Sequence, residues 1–132
     1  MIQASDYFRQ FKDSQEITEK IRKNADKLLS KVCTLLSLIP YETKLTSGFR
    51  SKKYESKKGR SGNSAHCTGE AIDLYDPDKI IGTWCRANEA YLKQEGLHFE
   101  HLSVTHKSEK REGRWIHLST RPPPSGKTEF IP

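Results

Sequence analysis

The chain has 132 residues, of which 33% are hydrophobic, and its mean hydropathy of −0.81 predicts a single small domain with a modest core. No apolar run approaches membrane-spanning length, residues 1–7 lack the features of a signal peptide, and an odd count of three cysteines argues against a disulfide scaffold. The formal net charge of +6 predicts an anionic partner, either nucleic acid or the anionic polymers and stem peptides of a bacterial cell wall.

Two helices are predicted at the N-terminus. Aromatic residues at helical spacing indicate a short helix within residues 1–12. A longer helix is expected to begin near Asp13, capped by that residue together with Glu16, and to end before Pro40. Its apolar stripe is interpreted as a face packed on the core, and a partner-binding helix is the less favoured alternative: Ile17, Ile21, Ala25, Leu28, Val32 and Leu35.

Residues 41–50 are predicted to form a strand that ends in a turn, followed by a mobile loop over residues 51–63. The loop is rich in lysine and glycine, and its most plausible use is electrostatic steering. A nucleic-acid-binding role is less favoured because Tyr54 is the loop's only aromatic residue and offers a poor stacking platform.

The segment from Ser64 to Tyr75 combines a loop that can turn at Gly69 with the start of a buried strand. Strand alternation places Asp73 on the face opposite Ile72 and Leu74, pointing into a cleft. A loop bent back at Gly69 would then bring the imidazole of His66 beside Asp73. A histidine and an aspartate in this arrangement provide two of the three ligands of a zinc site.

The third ligand is expected from a strand over residues 114–119, where His117 alternates with buried Ile116 and Leu118. Between the two strands, the sequence predicts a helix from Asp76 to Gly96, a strand over residues 97–102 and a charged hairpin turn over residues 105–113. Residues 121–126 are expected to be extended.

Two histidines and one carboxylate leave a tetrahedral zinc ion with one open position, as in hydrolytic zinc sites. His98, His101 and His106 compete for the role of ligand, but lone histidines near a strand are more often ordinary polar residues. His98 and His101 are instead candidates to orient a ligand or the substrate.

Three ordered blocks of this sequence resemble the M15 family of zinc peptidases. They are Thr46-Ser-Gly-Phe-Arg-Ser51, then His66-x-x-Gly69-x-Ala71-x-Asp73 preceded by Ser64, and finally Trp115-x-His117. The family includes D-alanyl-D-alanine carboxypeptidases and phage L-alanyl-D-glutamate endolysins, and its zinc fold is similar to that of the Hedgehog signalling domain. The blocks span about residues 44–120 of the single domain expected over residues 1–132.

The resemblance implies an α+β fold, with a small antiparallel sheet, helices packed on one face and a zinc cleft on the other. It implies Zn²⁺ bound by His66, Asp73 and His117, and it implies that Arg50 neutralises a substrate carboxylate or the developing oxyanion. Many members place an acidic residue three positions before the last histidine, where this chain has Arg114. Glu112 is therefore the first choice for the catalytic acid/base, and Glu100 is the second.

The function expected from the resemblance is zinc-dependent hydrolysis of a peptide bond in peptidoglycan stem peptides or cross-links, by a D,D-carboxypeptidase or an endopeptidase. We expect a monomeric phage or prophage endolysin, or a virion-associated hydrolase, made in the cytoplasm and acting in the periplasm or cell wall. One alternative is a Hedgehog-like zinc domain without hydrolytic activity, suggested by Arg114. A less favoured alternative is a basic nucleic-acid-binding module.

Overall fold

The computed structural model describes residues 2–132, in which six α-helices and five β-strands alternate irregularly along the chain. The helices are α1 (Ala4–Phe8), α2 (Glu19–Ser37), α3 (Lys52–Lys57), α4 (Ile80–Ala87), α5 (Glu89–Glu95) and α6 (Leu102–Thr105). The strands are β1 (Leu45–Ser47), β2 (Ala71–Tyr75), β3 (His98–Glu100), β4 (Trp115–Ser119) and β5 (Glu129–Phe130). Short 3₁₀ turns occupy Arg9–Phe11, Ala65–Thr68 and Arg111–Gly113.

The strands form one sheet in the order β1-β2-β4-β3-β5. The predicted α+β class is confirmed, and the pairs β1–β2, β2–β4 and β3–β4 are antiparallel as expected. The last pair differs, because β5 runs parallel to β3. After β4 the chain reverses direction and passes to the outer edge of β3, so β5 is antiparallel in direction to β4 and parallel to β3.

One face of the sheet packs on the helices, as the alternation of apolar residues in the strands predicts. Ile72 and Leu74 of β2, Phe99 of β3 and Ile116 and Leu118 of β4 are completely buried. They belong to the same apolar cluster as the buried residues of the helices: Ala25, Leu28, Leu29, Val32, Leu35, Ile81, Cys85 and Leu92. The residues between them in β2 and β4 therefore project from the opposite, more open face.

The predicted start of the long helix is wrong by six residues. Helix α2 begins at Glu19, and the hydroxyl of Thr18 caps it by accepting a hydrogen bond from the Ile21 amide at 3.2 Å. Glu16 does not contribute to this cap, because its carboxylate accepts hydrogen bonds from the amides of Lys52 and Lys53 at the start of α3. Thr18 therefore caps the helix in place of Asp13.

The prediction of a mobile loop over residues 51–63 is wrong for its first half, where α3 forms. Ser51 caps this helix through a 3.0 Å hydrogen bond from the Tyr54 amide to its hydroxyl. Glu55 is the buried acid of α3, and its carboxylate pairs with Arg60 and lies 3.5 Å from Nε of Arg50. The helix therefore ties the lysine-rich segment to the region of Arg50.

The single helix predicted after Asp76 is divided into α4 and α5 at Asn88, whose side chain donates to the carbonyl oxygen of Trp84. Asp76 is not the capping residue, a position taken by Lys79. The Asp76 carboxylate nevertheless accepts from the amides of Ile81 and Gly82, each at 2.9 Å, so it satisfies the exposed donors of the first turn. Gly96 ends α5 in the predicted left-handed conformation.

The strand predicted over residues 97–102 ends early, at Glu100. Nδ1 of His101 accepts a hydrogen bond from the Ser103 amide and so caps α6, which lies in the segment expected to be a strand end and turn. Strand β5 was not predicted, since a strand of two residues is too short to show alternation. No helix within residues 2–132 combines the length and apolar content needed to cross a membrane.

A close approach between α2 and the loop before β2 depends on Gly69, which has φ of 79°. A Cβ atom at this position would lie 2.6 Å from the carbonyl oxygen of Ile21, whereas one at Gly59, with a similar φ of 75°, would meet nothing within 4 Å. We predict that Gly59→Ala costs about 1–2 kcal/mol of unfolding free energy through backbone strain alone. Gly69→Ala should cost a further ~1–3 kcal/mol because the backbone must move.

Urea denaturation of the two metal-free variants measures this difference directly. Equal losses of unfolding free energy would contradict the close approach between α2 and this loop.

Candidate metal centre and active site

The contacts around His66 determine the position and the tautomer of its imidazole. The 3₁₀ turn that carries it is capped by Ser64, whose hydroxyl accepts from the His66 amide at 3.1 Å, and ends at Gly69. Nδ1 lies 2.7 Å from the carbonyl oxygen of Gly48. Because a carbonyl only accepts, Nδ1 carries the proton and Nε2 keeps a free lone pair.

Asp73 and His117 are brought together by sheet register. They are direct partners in the antiparallel pair β2–β4, and Nδ1 of His117 lies 2.9 Å from Oδ1 of Asp73. The same carboxylate oxygen lies 3.4 Å from Nε2 of His66. One oxygen atom therefore sits between two imidazole rings, whose centroids are 5.3 Å apart.

These three predicted ligands converge in a way that fits a metal ion. Their ligand atoms all lie within 4.8 Å of one another. The separation of 3.4 Å between His66 and Asp73 is close to the ~3.3 Å expected between two ligands about 2.0 Å from a tetrahedral metal. Nε2 of His66 is buried with no hydrogen-bond partner among the described residues, as expected of a nitrogen that awaits a metal. Two imidazoles and a carboxylate suit zinc.

The neighbouring charges shift the pKa values of Asp73 and His117. Burial opposes ionisation of Asp73, but the two adjacent imidazoles outweigh this effect and hold the pKa of its carboxyl below the usual range. For His117, burial favours the neutral ring, yet the hydrogen bond to Asp73 and the nearby negative charges raise its pKa. The cluster therefore carries an ionised carboxylate, the form that binds a cation.

Glu100 lies next to His117 on the open face of the sheet. In the β3–β4 pair His98 faces Ser119 and Phe99 faces Leu118, so the next step of the register places Glu100 opposite His117. Burial raises the pKa of Glu100, while the charges of His117, His66 and Arg50 act to lower it. Such a half-buried carboxyl group beside a metal site is a candidate for proton transfer.

The neighbouring strands extend this pair into a row of side chains, which we call the cross-sheet row: Ser47, Asp73, His117, Glu100 and Phe130. At the Phe130 end lies a cavity of about 520 Å³, lined by Glu100 and His117 and by residues of the C-terminal segment. The Phe130 ring is 6.2 Å from that of His117. The sequence analysis did not identify Phe130 as a residue of this cavity, because its position depends on β5, which was not predicted.

Glu112, the first choice for the acid/base, does not line this cavity. It is exposed in the 3₁₀ turn before β4. Its neighbour Arg111 donates two hydrogen bonds to the carboxylate of Asp78, at 2.6 and 2.8 Å. This ion pair holds the turn at the end of β4 that begins with Trp115. The turn before β4 therefore does not bring Glu112 to the proposed ligands. Of the two candidate carboxylates, Glu100 is the one that lies beside His117.

The side chain of Arg114 is bound by the backbone of the segments that flank the sheet. The guanidinium of Arg114 donates to the carbonyl oxygens of Ser108 and Pro77, each at 2.9 Å. Its donors are thus used by the backbone at the far end of β4, and no cation from this position lies beside the metal ligands. Arg114 therefore remains a departure from the family pattern, and its guanidinium binds backbone carbonyl oxygens.

Arg50 is held close to the ligands by its backbone, which donates to the carbonyl oxygen of His66 at 3.3 Å. Its side chain is 22% exposed, and buried Nε has no hydrogen bond, although Glu55 lies 3.5 Å away. The charge of Arg50 reaches the site, since it acts on both Glu100 and His117. A small pocket of about 130 Å³ is lined by Arg50 and also by Arg9, which no sequence motif had indicated.

The other three histidines lie outside the ligand cluster. His98 bonds to the carbonyl oxygen of Lys127, and His101 lies 3.7 Å from the carboxylate of Glu129, so both contact the C-terminal segment. His106 forms a buried 2.8 Å pair with Asp76 beneath α4. Within residues 2–132, the group that could hold a metal ion is His66, Asp73 and His117, and its binding of zinc stays a prediction.

Comparison with known proteins identifies the family. The model described as Peptidase M15 matches residues 7–108, which include Arg50, His66 and Asp73 and end before His117. No curated protein matches the chain. Among solved structures, the L-Ala D-Glu endopeptidase ChiX of Serratia marcescens is similar, with 20% identity and a TM-score of 0.47 over 83% of this chain and 93% of that one. Because the family model matches well over half of its residues, this chain belongs to the peptidase M15 family.

Proposed function

We propose that this protein is a zinc-dependent peptidase that hydrolyses peptide bonds of bacterial peptidoglycan, in stem peptides or in their cross-links. The observation that carries the proposal is the convergence of His66, Asp73 and His117 beside Glu100 at the edge of a cavity, in a chain of a peptidase family. Three ligands leave the fourth position of a tetrahedral zinc ion open, which favours a catalytic over a structural role.

Each residue of the site has a distinct task in this proposal. When bound, zinc supplies a Lewis acid that polarises the scissile carbonyl and makes water more acidic. Glu100 accepts the proton of the attacking water and passes it to the nitrogen of the leaving amine, since it lies on the open face beside His117. Arg50 stabilises negative charge on the substrate carboxylate or on the oxyanion. The carbonyl oxygen of Gly48 holds the tautomer of His66.

The proposed setting is bacterial cell-wall lysis. The formal net charge of +6 favours association with an anionic wall. We propose a monomeric endolysin of a phage or prophage, or a virion-associated hydrolase, which acts in the periplasm or cell wall.

The two alternatives have less support. The Hedgehog-like reading without hydrolysis was motivated by Arg114, whose guanidinium binds backbone carbonyls away from the ligands. For the nucleic-acid reading, Tyr54 was the candidate stacking residue. Its ring packs edge-on against Phe11 with centroids 5.3 Å apart, and Lys58 lies over its face, so this ring is not free to stack on a base.

Digestion of purified muropeptides followed by mass spectrometry tests the activity and identifies the bond. Loss of a terminal D-alanine, separation at the L-Ala–D-Glu bond and opening of cross-links each give a different mass. Intact muropeptides after incubation with zinc-loaded protein would contradict the proposal.

The first prediction from the site concerns metal content. Reconstituted protein should hold about one zinc ion per chain, and zinc at a hundredfold excess over its Kd should raise the unfolding free energy by about 2.7 kcal/mol. His66→Ala and His117→Ala should each lose tight binding, as measured by elemental analysis. His98→Ala is the matched control, since this ring bonds to Lys127, and it should retain the metal. Unchanged zinc content in a His66→Ala, His117→Ala double variant would refute the ligand assignment.

The second prediction concerns the proton-transfer group. Glu100→Gln should bind zinc normally and lose about 10²- to 10⁴-fold in turnover, because an amide cannot accept the proton. Glu112→Gln is the matched control, and its turnover on muropeptides should equal that of the parent. The opposite pattern, an inactive Glu112→Gln and an active Glu100→Gln, would transfer the role to Glu112.

The third prediction concerns Arg50. Arg50→Ala should reduce turnover by roughly a hundredfold or more while zinc remains bound, because one strong donor to developing charge is lost. Arg50→Lys should restore activity only in part, since an ammonium cannot reproduce the planar guanidinium. Arg60→Ala controls for the shared ion pair with Glu55 and should retain turnover. Full activity of Arg50→Ala on muropeptides would return Arg50 to a structural role.

A further inference from the structure

One wall of the large cavity is formed by the segment that follows β4. Beside Glu100 and His117, the lining includes Phe130 and the three prolines of residues 122–124. Phe130 and these prolines lie beyond residue 108, where the match to the family model ends. The family match therefore says nothing about this wall, and its role has to be judged from its own contacts.

The charged side chain of this wall, that of Arg121, is already paired within the protein. Its guanidinium donates to the carboxylate of Glu70 at 3.3 Å and to the hydroxyl of Thr68 at 2.7 Å. It also donates to the carbonyl oxygen of Asn63 at 2.8 Å. The wall therefore offers a ligand chiefly its proline rings and the ring of Phe130, which suit an uncharged, aliphatic group.

Phe130 brings this apolar surface to the proposed reaction centre. It is the partner of Glu100 in the parallel pair β3–β5. Its ring stands edge-on to that of His117, at an interplanar angle of 79° and a centroid separation of 6.2 Å, which is a contact distance for aromatic rings. A substrate residue that occupies the cavity beside His117 would therefore meet the Phe130 ring.

The strand that carries Phe130 is held in place with little apolar burial. Residues 121–132 are exposed or half-buried throughout. The amide of His101 donates to the carbonyl oxygen of Phe130 at 2.8 Å. The guanidinium of Arg86 in α4 donates two hydrogen bonds to the carboxylate of Glu129, at 2.5 and 3.2 Å. Because few apolar contacts fix β5, this two-bond ion pair contributes to the position of the ring.

We infer that Phe130 is a specificity-determining residue, whose ring contacts an aliphatic side chain of the substrate, and that the ion pair between Arg86 and Glu129 positions it. This inference rests on the proposed peptidase function. The methyl group of alanine is the aliphatic group that the candidate bonds share. Alanine supplies the scissile carbonyl of both the D-Ala–D-Ala and the L-Ala–D-Glu bond, and it is also the residue released from the first.

Substrates with and without the methyl group test the contact. One pair is acetyl-L-lysyl-D-alanyl-D-alanine and acetyl-L-lysyl-glycyl-D-alanine, and the other is L-alanyl-γ-D-glutamyl-L-lysine and glycyl-γ-D-glutamyl-L-lysine. Acetyl-L-lysyl-D-alanyl-glycine tests the released residue in the same way. The parent should prefer alanine to glycine at one of these positions by about fourfold or more in kcat/KM, the factor expected for burial of one methyl group.

Variants of Phe130 should change this preference. Phe130→Ala should reduce it to below about twofold, mainly by raising KM for the alanyl substrate, and Phe130→Leu should retain part of it. Leu38→Ala is the matched control, because this apolar side chain is 49% exposed and does not line the cavity, and it should keep the preference of the parent. An undiminished preference for alanine in Phe130→Ala would overturn the inference.

The positioning role has a separate test in the metal-free protein. Glu129→Gln should speed hydrogen exchange of the His101 amide, which donates to Phe130, by about two- to fivefold, the range for an exposed ion pair. It should also reduce the preference for alanine in the zinc-loaded protein. Arg111→Gln removes a similar two-bond ion pair with Asp78 outside the cavity and should change neither quantity. Exchange or preference like that of the parent in Glu129→Gln would overturn the positioning role.

A binding measurement keeps the test independent of catalysis. Calorimetry on the zinc-loaded Glu100→Gln protein should show tighter binding of the alanyl than of the glycyl peptide, and Phe130→Ala in that background should abolish the difference. Equal affinities for the two peptides in the Glu100→Gln protein would overturn the inference. Absence of cleavage by the parent, with this difference in affinity intact, would refute only the peptidase function.

Discussion

The site depends on one hydrogen bond, from Nδ1 of His66 to the carbonyl oxygen of Gly48. It fixes the tautomer, so that Nε2 faces Asp73 as a free ligand atom, and it joins the turn after β1 to the loop before β2. Gly48 can hold this place only without a side chain, because a Cβ would lie 2.2 Å from the carbonyl oxygen of Tyr7. The packing of α1 against β1 thereby sets the position of a metal ligand.

The sheet determines the remaining geometry through its register. Asp73, His117 and Glu100 come from three strands that are distant in sequence, yet antiparallel pairing aligns them in one row on the open face. The apolar residues between them fix this arrangement, since a shift of one residue would bury the charged groups and expose Ile72, Leu118 and Phe99. Core packing and site geometry are consequences of the same alternation.

The convergence of His66, Asp73 and His117 could be predicted from sequence because each lies within a local pattern. His66 and Asp73 share one loop and strand, and His117 alternates with two buried residues. Glu100 could not be ranked above Glu112, because the choice depends on the β3–β4 register and on the ion pair of Arg111, neither of which is local. For the same reason Asp13 was wrongly predicted as the helix cap, since Glu16 contacts α3 and the cap is Thr18.

The strand order has a consequence for the order of assembly. Strand β4 lies between β2 and β3, although it follows both in the chain, so the centre of the sheet is completed by its penultimate strand. Until β4 inserts, no strand connects β2 to β3, and the site has two of its three proposed ligands. Capture of the proposed metal ion would therefore report completion of the long-range pairing, the slow and entropically costly part of folding. A chain emerging from a ribosome could not acquire its full ligand set before residue 117 had been added.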